Sequence, residues 1–154
     1  DRNQIIKNGD AAFLEEGTLI YSIRGFSPDF RLAAKTDEGM LLYEADTNPK
    51  ASRGEDLLDV GGKVKYIGIN SPIDGTTELA SIREEVVVTS LVDMVLKAPV
   101  DQTVLVGGKQ QLFIAFHLTD GTTVTRSFWL DTGELSRGIK LPSEFGRMVQ
   151  SLLP

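Results

Sequence analysis

The clearest pattern of apolar and polar positions runs from Gln111 to Leu130, where two alternating stretches flank Asp120-Gly121. Such a pattern predicts an antiparallel hairpin. Asp-Gly often closes a two-residue loop. That register would set Leu112, Ile114, Phe116 and Leu118 opposite Trp129, Ser127, Thr125 and Thr123, so an apolar row would share its face with a row of hydroxyls. A slip of one residue moves every side chain of a strand to the other face. A three-residue loop, Thr119-Asp120-Gly121 with the glycine left-handed, pairs Phe116 with Val124 and Leu112 with Phe128 instead. The apolar sides then coincide. Leu112, Ile114, Phe116, Leu118, Val124, Phe128 and Leu130 face a core with Arg126 as the exception, while Phe113, Ala115, His117, Thr119, Thr123, Thr125, Ser127, Trp129 and Asp131 face the other way.

The same reading applied elsewhere predicts more strands and two helices. Thr18–Ile23 is rich in β-formers and is followed by Gly25 and Ser27-Pro28-Asp29, a strand and a turn. Phe30–Lys35 and Met40–Ala45 form a hairpin around a four-residue loop, Thr36-Asp37-Glu38-Gly39. Lys63–Ile69 alternates before turning apolar, which predicts a strand with one buried face. Thr103–Val106 is a short edge strand ending at Gly107-Gly108. Residues 1–16 read as a short helix or a loosely tied arm. Residues 46–62 read as a long connection with at most one helical turn, the best candidate for a mobile loop.

Ser81-Ile82-Arg83-Glu84 has the spacing of a capping box, in which a serine hydroxyl and a glutamate carboxylate satisfy free amides at a helix start. Val88, Leu91, Val92, Val95 and Leu96 follow at helical spacing and Pro99 stops them, so a helix is predicted over about 82–97. The competing reading takes Val86-Val87-Val88-Thr89 as a strand, because β-branched runs favour one. A second helix, about 143–153, starts after Leu141-Pro142 and lines up Phe145, Met148, Val149 and Leu152.

Composition narrows the class. A chain of 154 residues, 41% apolar and 25% charged, can bury roughly 70% of its unfolded surface and make its own core. The 22 acidic and 16 basic side chains give a net charge of −6, with no cluster of four Lys/Arg. Nucleic acid and anionic membrane surfaces are therefore poor partners. Cysteine is absent, which removes disulfides, thiolate metal sites and a thiol nucleophile, and leans toward an extracytoplasmic location. No run approaches the about 18 apolar residues of a membrane helix. The chain opens on Asp1 rather than Met, which reads as a processed or excised start.

Asp131-Thr132-Gly133, after Phe128-Trp129-Leu130, has the local pattern of an aspartic-protease carboxylate. Such an enzyme needs two carboxylates sharing a proton. One copy is present, and the residues after it read as a loop and a helix, so Thr132-Gly133 reads as a turn that ends the strand. His117 is the only histidine, which leaves a triad or a zinc site short of partners. Asp46-Thr47-Asn48 begins like a calcium loop without its later Gly and Glu. Gly61-Gly62-Lys63 and Gly107-Gly108-Lys109 lack the Walker spacing. No catalytic, cofactor-binding or metal-ligating set is expected. The residues that stand out are Trp129, with Arg126 and Glu134 nearby in sequence, as a protein-binding surface; the alternative is a second layer, a helix, covering Trp129.

From Ile82 through the hairpin QLFIAFHLTDGTTVTRSFWLDTGEL to LPSEFGRMVQSLL, the C-terminal half resembles small extracytoplasmic domains of Gram-positive bacteria that are attached to ABC-type permeases or carried by lipoproteins. The resemblance implies an α+β, non-enzymatic module outside the membrane. It also implies a protein partner or the membrane-embedded region of the same chain.

The expectation is therefore an α+β fold with a mostly antiparallel sheet of six or seven strands and both helices on one face. It is read as one domain, with 17–69 and 81–153 as possible subunits. The expected function is a binding or regulatory module of a membrane-anchored transport or sensing protein. The alternatives are a small hydrolase using acids of the 46–62 loop and Asp131, and a structural or oligomerising domain.

Overall fold

A computed structural model describes residues 14–45, 47–103 and 107–153. The chain forms two compact units, residues 1–45 and 46–154. In the first, β1 (Ile20–Ser22), β2 (Arg31–Thr36) and β3 (Gly39–Glu44) make an antiparallel sheet in that order. Thr36 pairs with Gly39, so the hairpin turns on Asp37-Glu38 alone and not on the four-residue loop expected. Arg31 is buried, and its guanidinium lies 4.6 Å from the centre of the Phe26 ring and 5.6 Å from that of Phe30 while it donates to Glu44 at 2.7 Å. Aromatic faces and a carboxylate together make a buried cation tolerable. Leu19, Ile20, Tyr21, Met40, Leu41 and Leu42 are exposed.

The second unit contains, in order, a single 3-10 turn (Gly54–Asp56), β4 (Val64–Asn70), β5 (Glu78–Ile82), α1 (Glu85–Lys97), β6 (Gln111–Leu118), β7 (Thr123–Trp129), β8 (Glu134–Leu135), β9 (Ile139–Lys140) and α2 (Ser143–Leu152). Its six strands pair antiparallel in the order β5-β4-β6-β7-β8-β9. The fold is α+β, as the pattern predicts. The unit boundary falls after the first hairpin and not between 69 and 81. Residues 64–70 cannot group with that hairpin, because they pair with β5 and β6.

The central hairpin has the register that the apolar pattern demands. Leu112 pairs with Phe128 and Phe116 with Val124, and the Leu118 amide donates to Thr122 across the loop at 2.8 Å. Gly121 has φ +88°, the left-handed conformation that glycine adopts without strain. Ile67, Ile69, Ile114, Phe116, Val124 and Phe128 are all buried on one face. Both helices cover that face: α1 buries Val88, Leu91, Val92 and Val95 and packs against β4, while Phe145 of α2 meets Phe128 edge-on with ring centres 5.4 Å apart. Each such side chain fully buried is worth about 1.5–3 kcal/mol.

Three expectations are corrected. The helix starts at Glu85 and no capping box forms, because Ser81 is a strand residue that pairs with Gly68 and Glu84 makes no side-chain cap. After Asp131-Thr132-Gly133 the chain does not leave the sheet; it turns back as β8, pairing Trp129 with Glu134. The 46–62 connection holds the 3-10 turn and buries Leu57, Leu58 and Val60, so part of it belongs to the core. Residues 1–13, Asp46 and the 104–106 part of the expected edge strand lie outside the described residues.

Candidate functional site

The pairing that makes one face of the six-stranded sheet apolar makes the other more polar, with a buried centre at Gly68, Asn70 and Ala115 and part-exposed side chains around it. Tyr66, Gly68 and Asn70 of β4 lie between Ser81 of β5 and Phe113, Ala115 and His117 of β6, and Thr123, Thr125 and Ser127 of β7 extend the row. At its centre Tyr66 and His117 stack with ring centres 4.1 Å apart and planes 8° from parallel. Arg83, just beyond β5, places its guanidinium 3.9 Å from the Tyr66 ring centre. Since β5 and β6 flank β4 on opposite sides, Tyr66 is held between a cation and an imidazole.

Beside this stack Glu78, Asn70 and His117 converge over Gly68 as a shallow polar basin, its floor buried at Gly68 and Asn70 and its rim part-exposed at Glu78 and His117. A Cβ on Gly68 would lie 3.0 Å from Glu78 Oε2, 3.1 Å from Asn70 Oδ1 and 3.2 Å from His117 Nε2, so three polar atoms ring the space above the strand. Asn70 is only 6% exposed, and among the described residues its Oδ1 has no hydrogen-bond donor. A buried amide oxygen left unpaired costs about 1–3 kcal/mol. Its Nδ2 donates to the Gly75 carbonyl at 2.9 Å, which fixes the orientation of the amide. Glu78 turns its other oxygen to Arg83 at 3.8 Å. His117 Nδ1 is 3.1 Å from the Thr123 hydroxyl, and its Nε2 is 4.0 Å from Glu78.

Burial, more than the neighbouring charges, favours the neutral imidazole. Burial holds the His117 pKa below the usual histidine value; Glu78 pulls it up and Arg83 pushes it further down. The loop between β4 and β5 is tightly braced. Ser71 accepts from Gly75 and donates to Thr77 through its backbone, and Asp74 accepts from both Thr76 and Thr77 amides. The Thr77 hydroxyl and those amides hold the Asp74 carboxyl down to about 2. This loop carries Ile73, which is 93% exposed.

Trp129, Arg126 and Glu134 are not brought together as one surface. Trp129 and Glu134 are cross-strand neighbours on the polar side, whereas Arg126 pairs with Ile114 on the face of Val124 and Phe128. Glu134 is buried and ion-paired with Lys140. Trp129 is half-buried, and what lies on it is not a helix but the Gly107-Gly108 segment: a Cβ on Gly108 would come within 2.8 Å of the Trp129 Cβ.

The carboxylates considered for hydrolysis hold backbone. Asp131 accepts from the amides of Lys109 at 2.9 Å and Gln110 at 3.3 Å, and the Lys109 bond leads in holding its pKa below the carboxylate range. Asp56 accepts from the Ser52 and Arg53 amides, which lower its pKa in the same way, and Asp59 pairs with Lys63. Among the described residues no three His, Cys, Asp or Glu side chains gather as a metal site, and no helix is long and apolar enough to cross a membrane.

The basin residues come from two strands and the first residue of a third, so no linear motif announces them. The one local signal is Gly68 inside the strand VKYIGIN, since an isolated strand glycine marks a bulge or a close approach. A second concavity, near the C-terminal end of α1, sets Met94, Pro99, Leu141 and Pro142 beside Asp93, Lys97 and Lys140, whose charges are paired, Asp93 with Lys97 and Lys140 with Glu134. No family model, curated protein or solved structure matches this chain.

Proposed function

We propose that residues 46–154 form a non-enzymatic binding module that takes its ligand in the basin over Gly68. What carries the reading is the Asn70 carbonyl: buried, without a donor among the described residues, and converging with Glu78 Oε2 and His117 Nε2 on one space. Binding sites place a few polar groups at fixed positions on a rigid frame. Here the frame is the central strand pair β4–β6 and the braced 71–77 loop. The setting proposed is extracytoplasmic, in a membrane-associated transport or sensing protein; the resemblance of the C-terminal half and the absence of cysteine support it.

A screen of chemically mixed fragments, read by amide chemical shifts of the isotope-labelled protein, tests the basin. Shifts centred on Gly68, Asn70 and His117, and lost in Gly68→Ala, are expected. Fragments that shift only other surfaces, or none at all, would overturn the reading.

A second reading, self-association, is favoured by the exposed Leu19, Ile20, Tyr21, Met40, Leu41 and Leu42 of the first unit. They divide between the two faces of the sheet, Ile20 and Leu41 flanking Ala34, and Tyr21 and Leu42 flanking Ala33, and bare apolar side chains on a sheet face are typical of interfaces. Sedimentation should then show a dimer that Leu42→Glu dissociates. A monomer at every concentration contradicts it.

A further inference from the structure

Resting on the reading of the Gly68 basin as a binding site, we infer that the group it takes is a primary ammonium. The inference follows from counting donors and acceptors. Asn70 donates one amide hydrogen to the Gly75 carbonyl, which turns Oδ1 toward the space over Gly68. Glu78 Oε2 is an acceptor that carries charge. Burial holds the His117 pKa below the usual histidine value, and in the tautomer that donates Nδ1–H to the Thr123 hydroxyl its Nε2 is a third acceptor.

In that tautomer the basin presents three acceptors, one of them an anion, which most ligand chemistries match poorly. A carboxylate or phosphate would meet the Glu78 charge and two lone pairs. A hydroxyl brings one hydrogen, which leaves at least one of Asn70 and Glu78 unserved. A divalent cation is held by several protein oxygens or imidazoles, and among the described residues no three His, Cys, Asp or Glu side chains gather here. An ammonium carries three hydrogens in a tripod and a compensating charge on a compact head. Phe113, the cross-strand partner of Asn70, puts an aromatic side chain beside it on the same face.

The ammonium could be that of a free small amine or the end of a lysine side chain, and one titration separates them. The full chain is titrated with n-butylammonium and with Nα-acetyl-lysine N-methylamide, against n-butanol, butyrate and tetramethylammonium at matched ionic strength. Amide shifts at Gly68 and of the Asn70 side chain are followed. Both primary ammonium probes should saturate these shifts, with the tighter one naming the source. Butanol and tetramethylammonium should bind at least about tenfold more weakly, the loss expected when a charge-assisted hydrogen bond is removed. Glu78→Gln should weaken butylammonium by about the same factor and Asn70→Asp should tighten it, both at unchanged fold. Butanol or butyrate shifting these residues as strongly as the ammonium would overturn the inference while leaving the basin a binding site. No probe of any kind shifting them would overturn both.

Discussion

Tyr66 and His117 stand face to face across β4 and β6, ring centres 4.1 Å apart and planes 8° from parallel. The pairing aligns the imidazole so that Nδ1 meets Thr123 and Nε2 meets the basin. If the stack is what orients it, the two rings are energetically coupled. A double-mutant cycle of Tyr66→Leu and His117→Leu, measured by denaturant unfolding, should give a coupling of about 0.5–1.5 kcal/mol. Simple additivity would mean that the rings only happen to lie parallel.

His117 also makes stability depend on pH, and the sign is fixed. Burial lowers its pKa in the folded protein below the 6.5 of the unfolded chain, with Glu78 opposing and Arg83 adding. Below that unfolded value the unfolded chain takes up a proton that the folded protein refuses, so unfolding gains. The His117 contribution is therefore complete above pH 6.5 and is lost as pH falls through the depressed folded value. In urea titrations at about pH 7.5 and about pH 5.5, His117→Gln should flatten the decline in midpoint seen for the natural chain. Equal declines in both proteins would contradict the placement of His117.

Trp129 reports on its own cover, since the chain has one tryptophan. Gly108 lies so close that an added Cβ would come within 2.3 Å of Asp131 Oδ1 and 2.8 Å of Trp129 Cβ. Gly108→Ala must push the 107–108 segment away and wet the indole. Tryptophan emission should shift to the red with the fold intact. An unchanged spectrum would mean that the segment does not cover the ring.

How far the sequence reached depended on the length of each pattern. The β6–β7 register was legible because seven apolar side chains over two strands had only one way to share a face, and Pro99 marked the end of α1. The start of α1 was not legible, since Ser81 and Glu84 imitate a cap while Ser81 pairs with Gly68 in the ladder. β8 and β9 have two residues each, too few to alternate. Glu134 read as a surface charge because nothing in sequence shows that Lys140, six positions on, is its pairing partner in the next strand. The basin was hidden for the same reason: Asn70, Glu78 and His117 meet only through the β4–β5 and β4–β6 pairings. The glycine at 68 was the trace they left.

The most direct measurement is a crystal structure of the full chain soaked with n-butylammonium. The account predicts density over Gly68 with the nitrogen within hydrogen-bond distance of Asn70 Oδ1 and Glu78 Oε2, and the Asn70 Nδ2 still on the Gly75 carbonyl. A crystal in which a protein group donates to Asn70 Oδ1, or in which the amine binds elsewhere and the basin stays without it, would contradict the claim that this face is built to bind.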